Sequence, residues 1–227
     1  MGRTTIFNML WAAGMTRPDI AFDVASVSGA TNAPTIADAK KVVKVIKKAK
    51  RTEVRLRFPR ITGPVVMVPY CDAAWGNLSD GKTGGGIFVC LAAADRYGGN
   101  ELFCPVGWSS KRLRRVVRST FAGETLIASE ALDELVYLAD TWTELGGGKI
   151  DRIIRTDSKS LYDHVLVKGT CKEKRLNVEI NALKEALQQQ ELTWLEWLET
   201  HAQLADALAK HMTALAMLRS LNTKTLP

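Results

Sequence analysis

Four carboxylates occupy positions from which they could act together. Asp72 follows the apolar residues Val65, Val66, Met67 and Val68 and begins the small-residue stretch before Trp75; Glu124, Asp157 and Asp206 recur further along the chain. A carboxylate that ends an apolar run is costly to bury unless something offsets its charge. Taken singly, each has an ordinary structural explanation. Glu124 near a helix start is favoured by the helix dipole, Asp157 before a helix is a natural N-cap, and Asp206 lies roughly opposite an apolar stripe and can face solvent. Gathered at strand ends and helix starts, the four would repel one another unless divalent cations lay between them. Oxygen-only ligation selects hard ions such as Mg²⁺ or Mn²⁺. Two such ions, about 3.5 to 4 Å apart, can activate water and stabilise the leaving oxygen of a phosphodiester.

The elements that would carry these residues can be read from periodicity. Residues 5 to 30 read as helical segments broken at Pro18, and residues 35 to 50 as a helix turning Val42, Val45, Ile46 and Ala49 inward. Thr52 to Phe58 alternates as a strand should, and Pro59 to Pro64 marks a boundary. Beyond it, Val65 to Cys71, Gly86 to Ala93 and Leu102 to Ser109 predict three antiparallel strands, with Asp72 ending the first. Phe121, Ala128, Leu132, Leu135, Ala139 and Trp142 predict a long helix over 119 to 145 stopped by Gly146-Gly147-Gly148. Strands at 152–156 and 192–198 and helices at 158–167, 176–190 and 203–221 complete the pattern, the last with Leu204, Leu208, Met212, Leu215 and Leu218 inward. This is an α/β layout, a mixed sheet covered by helices.

Bulk properties narrow the classes. The 227 residues, 46% apolar and 24% charged, describe a globular chain with no low-complexity tract. A net charge of +7 favours polyanions, and it is concentrated in Lys40 to Arg51 and Lys111 to Arg118. Either run is also compatible with a solvated helix or loop face. Four cysteines without C-x-x-C spacing and three histidines argue against zinc and for free thiols. The early apolar run is too short for a membrane span and lacks a cleavage site, so an intracellular location, cytoplasmic or nuclear, is expected rather than secretion.

Residues from about 66 to 212 resemble the ribonuclease H domain of copia-type LTR retrotransposon Pol polyproteins. The motifs are CDAAWGNLSDGKTGGGIFV (71–89), GWSSKRLRRVVRSTFAGETLIASEALDE (107–134), TDSKSLYD (156–163), KRLNVEINALKEAL (174–187) and THAQLADALAK (200–210). Residues 16 to 48 resemble the end of the reverse transcriptase that precedes this domain. The resemblance implies a ribonuclease H-like fold over 63–221, a reverse-transcriptase tail over 1–62 and a short tail over 222–227. It also implies two-metal cleavage of the RNA strand of an RNA–DNA hybrid. Asp72, Glu124, Asp157 and Asp206 would be the Mg²⁺ ligands, with Mn²⁺ as a substitute, and His201 a position near the site that assists proton transfer or product release.

A hybrid is read through phosphates and 2′-hydroxyls, so Lys111, Arg112, Arg114 and Arg115, with Ser158, are the expected nucleic-acid contacts. Trp75 and Trp108 are either core residues or packing surfaces for sugar and backbone. Partners would be the hybrid and the remainder of a reverse transcriptase, with no membrane. The polymerase Y-x-D-D motif is absent, so polymerase activity is not expected, and Met1 directly before a partial reverse-transcriptase tail has the look of a fragment. Asn177 stands where many relatives carry an acid, with Glu179 nearby. Two rival readings are an inactive nucleic-acid-binding remnant and a transposase or integrase of the same fold class.

Overall fold

The computed structural model describes residues 3–29, 35–78, 81–94, 102–167, 171–212, 215–223 and 226. Its helices are α1 (Arg3–Met15), α2 (Ala21–Ser28), α3 (Ile36–Arg51), α4 (Thr120–Glu144), α5 (Lys159–Leu166), α6 (Lys174–Gln188), α7 (Asp206–Ala209) and α8 (Leu215–Thr223). The strands are β1 (Val65–Ala74), β2 (Gly84–Ala93), β3 (Phe103–Arg112), β4 (Asp151–Thr156) and β5 (Trp194–Trp197). They form one sheet in the order β3-β2-β1-β4-β5. β1 is antiparallel to β2, β2 is antiparallel to β3, and β1–β4 and β4–β5 are parallel. The mixed five-stranded sheet expected from the sequence, three antiparallel strands and two further ones, is therefore present.

Successive side chains on a strand point to opposite faces, and β1 sorts accordingly. Met67, Cys71 and Ala73 join a core with α4, α5 and α6, where Ile127, Leu135, Leu161, Ile180 and Leu183 are fully buried. Val66, Val68 and Tyr70 face a second core supplied by Ala13, Ile20, Val24 and Val45 of the N-terminal segment and by Leu204 and Leu208. Burial on both faces explains why β1 reads as a continuous apolar run. The N-terminal helices thus share a core with the sheet.

Local capping sets the helix starts. Ser119 Oγ accepts from Ala122 N at the start of α4, Ser158 Oγ from Leu161 N at the start of α5, and Thr35 and Asp38 form a capping box on α3. Gly146, with φ 85°, adopts the left-handed conformation that ends α4.

Three expectations are corrected. β1 continues to Ala74, so Asp72 lies within the strand, opposite Gly86, instead of ending it. Residues 52 to 58 alternate in exposure but form no strand, because no neighbouring strand among the described residues pairs with them. Val54 and Leu56 pack on the second core, while Phe58 is exposed. Periodicity reports which side chains are buried, and a strand also needs a partner for its backbone. The helix expected over 203–221 is two helices. Lys210 takes an extended conformation (φ −143°, ψ 159°) that ends α7, Leu204 packs in the approach to α7, and Met212 is exposed. The side chain of Leu215 lies outside the described residues.

Candidate metal centre

Three of the four carboxylates, Asp72, Asp157 and Asp206, come together from β1, the end of β4 and the start of α7, and Glu124 stands outside that group on α4. Asp72 is in the middle strand, on the side of the sheet that Val66, Val68 and Tyr70 face. Asp157 directly follows β4, the parallel neighbour of β1, and Asp206 is the first residue of α7. Ligand oxygens of these three aspartates all lie within 4.8 Å of one another. Glu124 enters from the opposite side of the sheet on α4, and its Oε1 accepts from Ala73 N at 3.4 Å. Gly123 makes that approach possible, since a Cβ there would sit 3.2 Å from Ala73 Cβ.

The electrostatics are those of a crowded, dry acidic site. Asp72 is 3% exposed and Glu124 5%. Burial pushes the Asp72 carboxyl up to about 7; Lys210 opposes the shift, while Asp206 and Asp157 add to it. Burial also drives Glu124 well above the usual carboxylate range, with the charges of Asp72 and Asp157 reinforcing it. Asp72 Oδ2 and Glu124 Oε2 are buried without a hydrogen-bond partner. Buried polar atoms are normally satisfied, so two orphaned acid oxygens at one place call for a partner.

Lys210 supplies part of the missing charge. Its Nζ lies 2.5 Å from Asp206 Oδ1 and 3.6 Å from Asp72 Oδ2. Burial alone would lower this ammonium, but Asp72 and Asp206 hold it above its ordinary value. One cation is thus already drawn to the cluster, and the all-oxygen donor set fits a hard divalent ion.

Several supports escaped the sequence reading. Gly84, Gly85 and Gly86 alternate across the sheet. A Cβ on Gly86 would fall 2.5 Å from Leu208 Cβ, one on Gly84 2.5 Å from Ala209 O, and one on Gly85 2.7 Å from Ile127 Cδ1. The triplet lets α7 lie directly on β2 opposite Asp72, while α4 closes on the other face. Gln203, fully buried, donates from Nε2 to Cys71 O at 2.9 Å and accepts at Oε1 from Ala205 N, tying the approach to α7 to the residue before Asp72. Asn77 donates to Ala209 O and accepts from Gly84 N, both at 2.9 Å. The run GGG and the polar Gln203 directly before LADALA were the available signals.

The remaining candidates fall elsewhere. His201 is exposed in a short 3-10 turn, beside Glu199 at 3.1 Å, and is not grouped with the aspartates. Ser158, not Asp157, caps α5, which leaves the Asp157 carboxylate to the cluster. Lys111 pairs with Glu130 at 2.7 Å and Arg115 pairs with Glu179, while Arg112 and Arg114 are exposed. Glu179 also accepts from Ser129 Oγ at 2.6 Å, and Asn177 bonds both backbone groups of Cys171, so this helix braces loops. Trp108 donates to Ala13 O at 2.6 Å and is half-buried. Trp75 is 55% exposed with its Nε1 bound to Val117 O, and Trp197 is 44% exposed with its Nε1 bound to Asp157 O.

No protein-family model matches the chain. Over 220 residues, 93% of its length, it is 26% identical to the retrovirus-related Pol polyproteins from transposons RE1 and RE2 of Arabidopsis thaliana, as the motifs led one to expect. It spans 14% of the length of those relatives. Among solved structures, the N-terminal RNase H domain of rv2228c from Mycobacterium tuberculosis aligns at 20% identity and a TM-score of 0.44, covering 69% of this chain and 99% of that one. LC11-RNase H1 in complex with an RNA/DNA hybrid aligns at 16% identity and 0.41, covering 66% and 99%. The prototype foamy virus protease-reverse transcriptase aligns at 12% and 0.38, covering 76% and 22%.

Proposed function

We propose that this chain hydrolyses the RNA strand of RNA–DNA hybrids, using divalent cations held by Asp72, Glu124, Asp157 and Asp206, as the ribonuclease H part of a retroelement Pol polyprotein. The observation that carries the reading is the aspartate cluster, with the buried Asp72 Oδ2 lacking a partner inside it and Glu124 Oε2 likewise unpartnered on α4. Similarity to retrotransposon Pol polyproteins supports the substrate class.

The protein's own groups define the task of each part. The three aspartates and Glu124 would hold Mg²⁺, or Mn²⁺ in its place. Bound there, the ion supplies a water of lowered pKa and charge neutralisation at the scissile phosphate. Lys210 shields Asp72 and Asp206 in the cation-free protein and must yield part of that contact when a cation enters. The raised carboxyls of Asp72 and Glu124 retain protons that an incoming cation displaces, so occupancy improves with rising pH. The exposed indoles of Trp75 and Trp197, each fixed by its ring nitrogen, offer flat surfaces beside the cluster for sugar or base. Contacts through phosphate and 2′-hydroxyl make the binding largely sequence-independent and salt-sensitive. The remainder of a reverse transcriptase is the natural partner in this reading.

Incubating the purified chain and Mg²⁺ with labelled hybrid, duplex DNA and single-stranded RNA tests it. Cleavage confined to the RNA strand of the hybrid and abolished by EDTA is expected. Hybrid binding in EDTA with no cleavage at any Mg²⁺ or Mn²⁺ concentration would identify an inactive nucleic-acid-binding remnant instead.

A further inference from the structure

A second feature lies beyond the C-terminal end of α7. A cavity of about 510 Å³ opens where α2 and α3 meet the β1–β2 turn and the residue after Lys210. Its lining carries Lys41, Lys44, Lys48 and Arg112, with His211 beside them, against one carboxylate among the described residues, Asp23. Asp23 is buried and engaged: Lys48 Nζ lies 2.7 Å from one of its oxygens, and His211 Nδ1 lies 2.6 Å from the other. These contacts fasten α2, α3 and the chain after α7 together and engage both oxygens of the one carboxylate that the described residues place in the cavity wall. Lys41 and Lys44 stay exposed at the mouth. Lys41 has only a 3.7 Å contact with Asp38, and Lys44 has no carboxylate partner among the described residues. Phe22 and Val45 give the cavity an apolar floor.

We infer that this cavity holds a backbone phosphate and the adjoining sugar of the hybrid, so that the N-terminal helices form part of the substrate-binding surface. The inference rests on the hybrid-substrate reading and adds to it a binding site whose exposed lysines lie on α3, ahead of the ribonuclease segment, with Asn77, Arg112 and His211 completing its wall. Charge sets the ligand class: an excess of cations around a partly apolar floor suits a phosphate joined to a sugar. Position selects a strand over a free ion. Lys210, in the carboxylate cluster, and His211, in the cavity wall, are consecutive, about 3.8 Å apart at Cα. Asn77 in the wall is bonded to Ala209 of α7. A polynucleotide seated on the carboxylates therefore runs beside the cavity mouth.

The test is hybrid binding in EDTA, by fluorescence anisotropy across a salt series, together with steady-state cleavage in Mg²⁺, for Lys41→Glu/Lys44→Glu and for Lys47→Glu/Lys50→Glu. The second pair changes the same charge on exposed positions of α3 that do not line the cavity. The cavity pair is expected to weaken binding about tenfold near 0.1 M salt and to reduce the salt slope by about 2, one step for each lost phosphate contact. KM rises and kcat stays within about twofold, whereas the control pair shifts affinity less than about threefold. Unchanged melting curves confirm that both variants fold. Wild-type cleavage with no difference between the two pairs overturns the cavity site while leaving the ribonuclease reading intact. Competition of hybrid binding by millimolar inorganic phosphate or adenosine monophosphate, equal in wild type and cavity variant, overturns it too. A wild-type chain that neither binds nor cuts hybrid removes both proposals.

Discussion

Two helices deliver acids to the same cluster by different means. α4 runs from Thr120 to Glu144, is capped by Ser119, and buries a regular stripe through Ala128, Leu135 and Ala139. Its length, cap and periodicity specify it locally, and Glu124 rides on a rigid element. α7 has four residues, too few to stand as a helix alone. It is held by contacts from distant sequence: Gly84 and Gly86 beneath it, Gln203 tied to Cys71, and Asn77 tied to Ala209. Secondary structure positions Glu124, whereas tertiary packing positions Asp206. The second acid should therefore be more vulnerable to changes away from the cluster.

That contrast can be broken directly. Asp157→Asn is expected to lower hybrid cleavage at least about 10³-fold, since losing several kcal/mol of metal-centred stabilisation costs about that factor, with the melting temperature held or raised. Gly86→Val should cost about 1 to 3 kcal/mol and reduce cleavage sharply, because the new side chain collides with Leu208 and displaces Asp206. Chemical denaturation and cleavage of the same preparation check both effects. Gln203→Ala leaves the Cys71 carbonyl and the Ala205 amide without their partner and should destabilise by about 2 kcal/mol, with a smaller loss of rate. Ser119→Ala, on the autonomous helix, should cost only about 1 kcal/mol and leave cleavage within twofold. Equal rate losses for Gln203→Ala and Ser119→Ala would erase the distinction.

The smallest expected effect concerns pH. A folded carboxyl raised from its ordinary value to about 7 binds its proton more tightly in the native state than in the unfolded one. The stability that this contributes is complete below the unfolded value near 4 and is lost as pH rises through about 7. The cation-free protein should thus melt at lower temperature at pH 8 than at pH 5 on account of Asp72. Saturating Mg²⁺ should restore part of the loss at pH 8 and little at pH 5, and Asp72→Asn should flatten the difference.

The same contrast explains what could be read in advance. The elements that carry Glu124, Asp72 and Asp157 follow from periodicity, whereas the convergence of carboxylates does not follow from any local pattern. Asp206 reads from the sequence as a residue at the opening of a helix, and that helix is far shorter than expected because Leu204, Leu208 and Met212 mimic a continuous stripe. Met212 is in fact exposed, and Leu204 is buried ahead of the helix. The alternation over 52–58 recorded burial without pairing. Lys210 reaches Asp72, Gln203 reaches Cys71, and Gly84 and Gly86 lie under Ala209 and Leu208, all partners more than a hundred residues away, so the sequence shows the residues without their contacts. Lys111 and Arg115 read as substrate contacts, yet each already has an acidic partner on the protein.

The central claim is that the buried carboxylates form a cation site that drives cleavage of the RNA strand. Cleavage of a hybrid labelled on its RNA strand, by wild type and by Asp72→Asn in Mg²⁺, tests it most directly. RNA-strand products are expected from wild type and none from a folded Asp72→Asn protein. Equal cleavage by the two would contradict it.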